Sequence, residues 1–176
     1  MEGEPGFAIA VREDVATALV RDEQSFARLI DAHHAEMVRV AYAVCGDLEL
    51  ARDATQIAWI KAWRALPRLR DTARVRSWLV AIAANEARQA ARSHRRRQIR
   101  EIRPVLPVSD AAADERLDLI AAFERLPAAD RELLALRYVA GLAAGEIADA
   151  RGLSASGVRT RLSRVLRVLR EEMAHE

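Results

Sequence analysis

From Phe26 onward, apolar positions recur at three- and four-residue steps: Phe26, Leu29, Ile30, His33, Met37, Ala41 and Val44. That period predicts a helix, and Gly46-Asp47 supplies its stop. A second helix is expected from about Glu49 to Leu66, with Ala54, Ile57, Ala58, part of Trp59 and Ala62 facing inward and Pro67 ending it. Residues 68 to 76 then read as a polar, basic loop. A third helix starts near Ser77 and is apolar nearly all round from Leu79 to Ala84 before it runs into Arg95, Arg96 and Arg97. Between 98 and 113 the periodicity weakens around Pro104, Pro107, Ser109 and Asp110, the marks of a linker. Periodicity returns near Asp114. One helix carries Leu117, Ile120, Ala121, Phe123 and Leu126. The next begins at Pro127 with Leu133, Leu134, Leu136, Tyr138 and Val139, and Gly141 ends it. Two more, about 143–150 and 155–172, are joined by Arg151-Gly152-Leu153.

The expected fold is all-α: two small helical domains joined by a linker, the second a helix-turn-helix. The boundaries are a short N-terminal extension at 1–20, a first domain at 21–97, a linker at 98–113 and a second domain at 114–176. Scarce glycine and proline (7 and 5 residues) with abundant alanine favour helix throughout.

The stretch Ala143 to Arg170 carries the most specific pattern. A short helix with Ile147 and Ala148 inward meets a tight turn at Gly152, Leu153 is expected to fill the gap between the helices, and Ser154 to cap the next one. That helix has an apolar stripe of Val158, Leu162, Val165, Leu166 and Leu169, with Thr160, Arg164 and Arg167 on the opposite side and Arg159 and Ser163 on a flank. Six arginines and no acid lie between Arg151 and Arg170. Solvated helix faces mix signs, so an unopposed run of arginines points to an anionic partner, and a helix of this kind fits a DNA major groove.

Charge adds a second candidate. The net charge is only +2, but the basic residues cluster, and of 28 only Lys61 is lysine. Arginine suits phosphate and guanine, although a GC-rich genome produces the same bias. Trp78, Asn85, Arg88, Gln89 and Arg92 fall on one side of the third helix, and the loop before it adds Arg68, Arg70, Arg74 and Arg76. An aromatic, amides and arginines in this array suit unpaired DNA. Read from the residues alone, Trp78 as a core residue with arginines solvating a helix end is equally consistent.

Other chemistries find little support. Cys45 stands alone, so no disulfide framework or Cys-rich zinc site is possible, and it reads as a buried, inert thiol in a reducing cytoplasm. His33 and His34 diverge by about 100 degrees on a helix and converge poorly on one ion. There is no phosphate-binding loop, nucleophile elbow or HExxH. No metal, no cofactor and no enzyme activity is expected, and neither a secretion signal nor a membrane-length apolar run is present. A plain helix-turn-helix regulator would account for the second domain alone and leave the first idle.

Three segments together resemble the extracytoplasmic-function (ECF) branch of the bacterial sigma-70 family over about residues 22–172. ARDATQIAWIKAW (51–63) is similar to region 2.2, VRSWLVAIAANEARQAARSHRRR (75–97) to regions 2.3 and 2.4, and LPAADRELLALRYVAGLAAGEIADARGLSASGVRTRLSRVLRVLR (126–170) to region 4. The gap between them is too short for a region 3 domain. The resemblance implies docking of Asp53, Gln56, Ile60 and Trp63 on the β′ coiled coil of core RNA polymerase, with the β flap as a further partner surface. It implies contact with the minus-10 element through Arg70, Arg74, Arg76, Trp78, Asn85, Arg88, Gln89, Arg92, Arg95 and Arg96. For the minus-35 element it implies Arg137, Ser154, Ser156, Arg159, Thr160, Arg161, Ser163, Arg164 and Arg167. It also implies an anti-sigma factor as regulator and action in the cytoplasm without membrane insertion. Two positions depart from the pattern: Ile57, where an acid often follows the glutamine, and Ser163, where some members carry an aromatic.

Overall fold

A computed structural model describes residues 22–69, 71–98, 119 and 121–173. The proposed extension at 1–20, Arg70 and nearly all of the 98–113 linker lie outside them, as does the side chain of Arg96. Among the described residues every regular element is helical.

Helix α1 spans Glu23–Cys45. The Asp22 carboxylate accepts the Ser25 amide at 2.7 Å to start it, and Gly46 ends it in the left-handed conformation (φ 75°) with its amide on the Tyr42 carbonyl. A residue with a Cβ is strained at that φ, hence the glycine. The next residue reverses the punctuation: Asp47 accepts the Leu50 amide at 2.9 Å and starts α2, Leu48–Ala65. Pro67 falls in a single 3-10 turn, Leu66–Arg68. A second such turn, Thr72–Arg74, is capped by Asp71 and leads directly into α3, Val75–Gln98. The loop expected at 68–76 is thus partly helical, and α3 begins two residues earlier than the sequence predicts.

These three helices enclose a core of Leu29, Met37, Val40 and Val44 on α1 with Leu79 and Val80 on α3. Alanines line the other contacts, Ala51, Ala54, Ala58 and Ala62 on α2 and Ala83, Ala84 and Ala87 on α3, all buried. Small side chains there let helix axes approach closely, so alanine is the packing residue of this half. Phe26 sits edge-on to both Trp59 and Trp63, with ring centroids 5.5 and 4.7 Å away, and Trp59 Nε1 donates to His34 Nδ1.

His33 is buried with no hydrogen-bond partner for Nε2. Burial depresses its pKa below the ordinary value near 6.5; Glu36 opposes that shift and Arg76 adds to it. The folded state therefore binds fewer protons than the unfolded chain once the pH falls through about 6.5, and stability falls with it. Comparing urea unfolding midpoints at pH 7.5 and 5.5, the wild type is expected to lose more than His33→Leu. Equal losses would remove His33 from the acid sensitivity.

The second half begins with a helical stretch at 121–125. Pro127 stands just outside α4, Ala128–Leu134, which continues into a widened π turn, Ala135–Val139. The Ala140 and Leu142 amides close that turn onto the carbonyls of Ala135 and Leu136, with Gly141 at φ 68°. Helix α5, Ala144–Arg151, follows; its Glu146 carboxylate reaches back to the Ala143 amide at 2.8 Å. Helix α6 covers Ala155–Met173. Leu133, Leu134, Leu136, Leu142, Ile147, Val158, Leu162, Val165 and Leu169 are buried.

The halves pack against each other: α4 touches α1 and α3, and α5 touches α3. Their buried apolar residues form one continuous cluster.

Candidate nucleic-acid interface

Gly152, in the left-handed conformation (φ 64°), turns the chain between α5 and α6, and the Leu153 amide returns to the Ala148 carbonyl at 2.9 Å. Leu153 itself is 50% exposed, so it does not fill the gap between the helices as the sequence predicts. Leu142, Ile147 and Val158 are buried in this half instead. A leucine after a left-handed glycine is carried outward because the turn, not the residue's hydrophobicity, sets its direction.

Ser154 is the cap the sequence predicts: its Oγ accepts the Gly157 amide at 3.1 Å and lies 3.3 Å from Ser156 Oγ. A Cβ at Gly157 would stand 2.9 Å from that Oγ, so the cap also depends on glycine three residues on. Ser154→Ala is expected to cost about 0.5–2 kcal/mol. Thermal unfolding would check it, and an unchanged midpoint would show the cap to be dispensable.

The apolar stripe of α6 faces the core as expected, with Leu166 half-buried. Arg159, Thr160, Ser163, Arg164 and Arg167 are exposed. Ser154, Ser156, Thr160, Arg161 and Arg164 line one open concavity together with Gly157. Arg161 differs from its neighbours: it pairs with the buried carboxylate of Asp130 at 2.7 Å, and Arg164 reaches the same oxygen only at 4.0 Å. Arg137 is tied to its own loop, donating to the Leu142 carbonyl at 3.0 Å, with its guanidinium 6.0 Å from the Tyr138 ring. The arginine run is therefore less unopposed than its local sequence implies. Asp130 holds Arg161, Glu171 holds Arg167 at 2.7 Å, and Glu132 holds Arg151 at 3.2 Å. No local pattern marks Asp130 or Glu132 as partners, since the fold brings them from 31 and 19 residues away.

On α3, Gln89, Arg92 and Arg95 are exposed, while Trp78, Asn85 and Arg88 are half-buried. Arg88, Arg92 and Arg95 line one cleft with Pro127, Ala128, Ala129 and Arg131 of the second half. Arg74 pairs with Asp71 at 2.9 Å and with Asp149. Arg76 pairs with Glu36 and donates to the Ala140 carbonyl at 2.6 Å. Burial pushes the Glu132 carboxyl above its ordinary range, against the pull of Arg151, Arg88 and Arg161.

A third surface lies on α2. Asp53, Gln56 and Ile60 are exposed on it; Trp63 is half-buried against Phe26 and buttresses the helix from behind. Ile57, expected inside, is 46% exposed and joins this surface.

No group of three or more candidate metal ligands occurs among the described residues. Cys45 is half-buried, its Sγ donates to the Asp47 carbonyl, and burial raises its pKa, which disfavours the thiolate.

Two family models match the chain, Sigma-70 region 2 over residues 29–97 and Sigma-70 region 4 over residues 116–169. SigL, an ECF RNA polymerase sigma factor of Mycobacterium tuberculosis, is 30% identical over 150 residues, covering 81% of this chain and 85% of SigL. The chain belongs to the ECF branch of the sigma-70 family. A probable sigma factor of Xanthomonas campestris, RfaY, is also 30% identical, over 86% of this chain; the chain spans only 41% of RfaY's own length. Among solved structures, CnrH in complex with the cytosolic domain of CnrY superposes with TM-score 0.68 at 24% identity, over 95% of this chain and 99% of that one. The Bartonella quintana sigma factor RpoE, bound to its anti-sigma factor NepR, gives 0.64 at 21% identity, over 86% and 98%. At those identities the two structures share the fold with this sigma factor. Sigma factors are transcription regulators rather than enzymes, and among the described residues no helix is long and apolar enough to cross a membrane.

Proposed function

We propose that this sigma factor binds core RNA polymerase and directs it to promoters by reading minus-35 and minus-10 elements, without chemistry of its own, in the cytoplasm. The observation that carries the reading is the α6 face: Arg159, Thr160, Ser163, Arg164 and Arg167 exposed on a helix whose opposite stripe is buried. Such a helix enters the major groove and reaches base edges and phosphates. On this reading residues 114–176 carry minus-35 recognition and residues 21–97 carry minus-10 and core binding, with 98–113 as the tether and 1–20 as an extension. Along α3, Gln89, Arg92 and Arg95 track the backbone of the opened strand, and the minus-10 reading also takes in Arg70, Arg74, Arg76, Trp78, Asn85, Arg88 and Arg96. Asp53, Gln56, Ile60 and the Trp63 behind them meet the β′ coiled coil, and Ile57 enlarges the apolar part of that contact. Two weak DNA sites on one tether reinforce each other through effective concentration, and arginine–phosphate contacts make the affinity fall steeply with salt.

Control by an anti-sigma protein is supported by the complexes in which structural relatives were solved, RpoE with the anti-sigma factor NepR and CnrH with CnrY. Footprinting tests the main reading. Core polymerase with this chain should protect a minus-35 segment and make minus-10 thymines permanganate-sensitive on a cognate promoter. Protection without melting, or the same pattern from core alone, would contradict it.

A further inference from the structure

The carboxylate of Glu86, 6% exposed on α3, gathers three donors on one oxygen. Lys61 Nζ of α2 lies 2.6 Å from Oε1, Asn85 Nδ2 donates to it at 3.1 Å and Gln89 Nε2 at 3.2 Å. A carboxylate paired with an ammonium accepts and does not donate, so it meets an amide only through the NH2 side. Both amides are thereby fixed in orientation, nitrogen toward Glu86 and carbonyl away from it. Lys61 supplies the opposite charge that a buried carboxylate needs. Asn85 spends its carbonyl inside the chain, where Arg88 donates to Oδ1 at 2.7 Å. Gln89 does not: it is exposed, and none of the described residues donates to its Oε1.

We propose that Glu86 is a positioning residue for promoter reading and Gln89 the base reader it sets: the buried carboxylate turns the Gln89 amide so that its carbonyl oxygen faces the DNA and accepts from the exocyclic amino group of one unpaired minus-10 base. This inference rests on the minus-10 reading of α3 and refines it at one residue. Phosphate oxygens accept only, so a carbonyl offered outward gains nothing from the backbone, which falls to Arg92 and Arg95 on the same helix. On a base the same carbonyl discriminates. Adenine, cytosine and guanine each carry an amino donor on the edge that an unpaired strand exposes. Thymine has a single ring N–H set between two carbonyls, and those repel a glutamine oxygen. An amide free to turn would satisfy either kind of edge, so the choice is made by Glu86 and not by Gln89 itself. Holding the amide in place also reduces the side-chain entropy that Gln89 loses on contact.

The test uses core polymerase with the full chain and a fluorescent forked duplex that carries the unpaired minus-10 strand of a promoter mapped by start-site selection. Each adenine of that strand is replaced singly by purine, each cytosine by 2-pyrimidinone and each guanine by hypoxanthine, changes that remove only the amino group. The expected result is one position at which loss of the amino group weakens binding by the parent about two- to tenfold, the worth of one hydrogen bond. At that position the penalty vanishes in Gln89→Ala, which removes the acceptor. It shrinks in Glu86→Gln, whose own amide both donates and accepts and so no longer dictates how Gln89 turns. Penalties at other positions persist in both variants. Lys61→Met with Glu86→Leu replaces the buried pair by apolar groups, a change such pairs tolerate; it gives the same readout should thermal unfolding show that Glu86→Gln does not fold. No amino-sensitive position, or a penalty that survives Gln89→Ala, would overturn the base contact. A penalty unchanged by the substitutions at Glu86, or a uniform loss at every position, would overturn its positioning role. Start-site selection by the parent chain separates the two levels. If it is intact while the amino scan is flat, only this inference falls; if it is absent, the promoter reading falls with it.

Discussion

Arg164→Ala is expected to weaken binding to a minus-35 duplex by about 1–3 kcal/mol, roughly 5- to 150-fold. Arg164 projects from α6 with a largely exposed side chain and only a 4.0 Å approach to Asp130, so its guanidinium is available to a base edge or phosphate. Arg161, three residues earlier, provides the internal contrast. Its 2.7 Å pair with the buried Asp130 fixes α6 against α4, and Arg161→Ala leaves that carboxylate short of its nearest cation. Arg161→Ala should therefore lower the unfolding temperature more than Arg164→Ala does, and Arg164→Ala should lower duplex affinity more. Fluorescence anisotropy on one duplex and melting curves on both variants check the pair. Unaltered transcription from a minus-35-dependent promoter would refute the role of Arg164.

Asp53→Ala combined with Gln56→Ala should cost at least about 2 kcal/mol in association with core polymerase and shift the fold's stability by no more than about 0.5 kcal/mol. Both side chains stand on the exposed face of α2, one turn from Ile57 and Ile60, while the alanines behind them do the packing. Polar groups flanking exposed isoleucines make the mixed surface expected of a protein-binding site. Competition for core against another sigma factor gives the affinity, and circular dichroism gives the stability. Unchanged core affinity would move the docking face elsewhere.

The element order was legible in the sequence because its punctuation is local. Gly46-Asp47 ends one helix and caps the next, Pro67 stops α2, and Gly152 and Ser154 shape the turn before α6; each acts on backbone groups within four residues. The α6 face was legible too, since four buried positions, Val158, Leu162, Val165 and Leu169, spaced three and four apart, dictate what faces outward. Ile57 was misplaced for a physical reason. On an alanine-lined helix the closely approaching neighbour fixes the buried stripe through Ala54, Ala58 and Ala62, and a larger residue beside that stripe is turned out. The widened turn at Ala135–Val139 left Tyr138 and Val139 exposed, because an i to i+5 turn rotates later residues out of the 3.6-residue register. Glu132, Asp130 and Asp149 were not legible as partners of the arginines: their pairings span 19 to 75 residues and exist only once the helices pack, two of them within the second half and one across the halves.

The central claim is that this chain confers start-site selection on a polymerase that lacks it. Run-off transcription of a fragmented genomic library by purified core polymerase, with and without the chain, followed by mapping of RNA 5′ ends, tests it most directly. The account predicts 5′ ends gathered at a small set of sites that share two upstream sequence elements at fixed spacing, present only when the chain is added and lost with Arg164→Ala. A dispersed set of 5′ ends identical with and without the chain would contradict it.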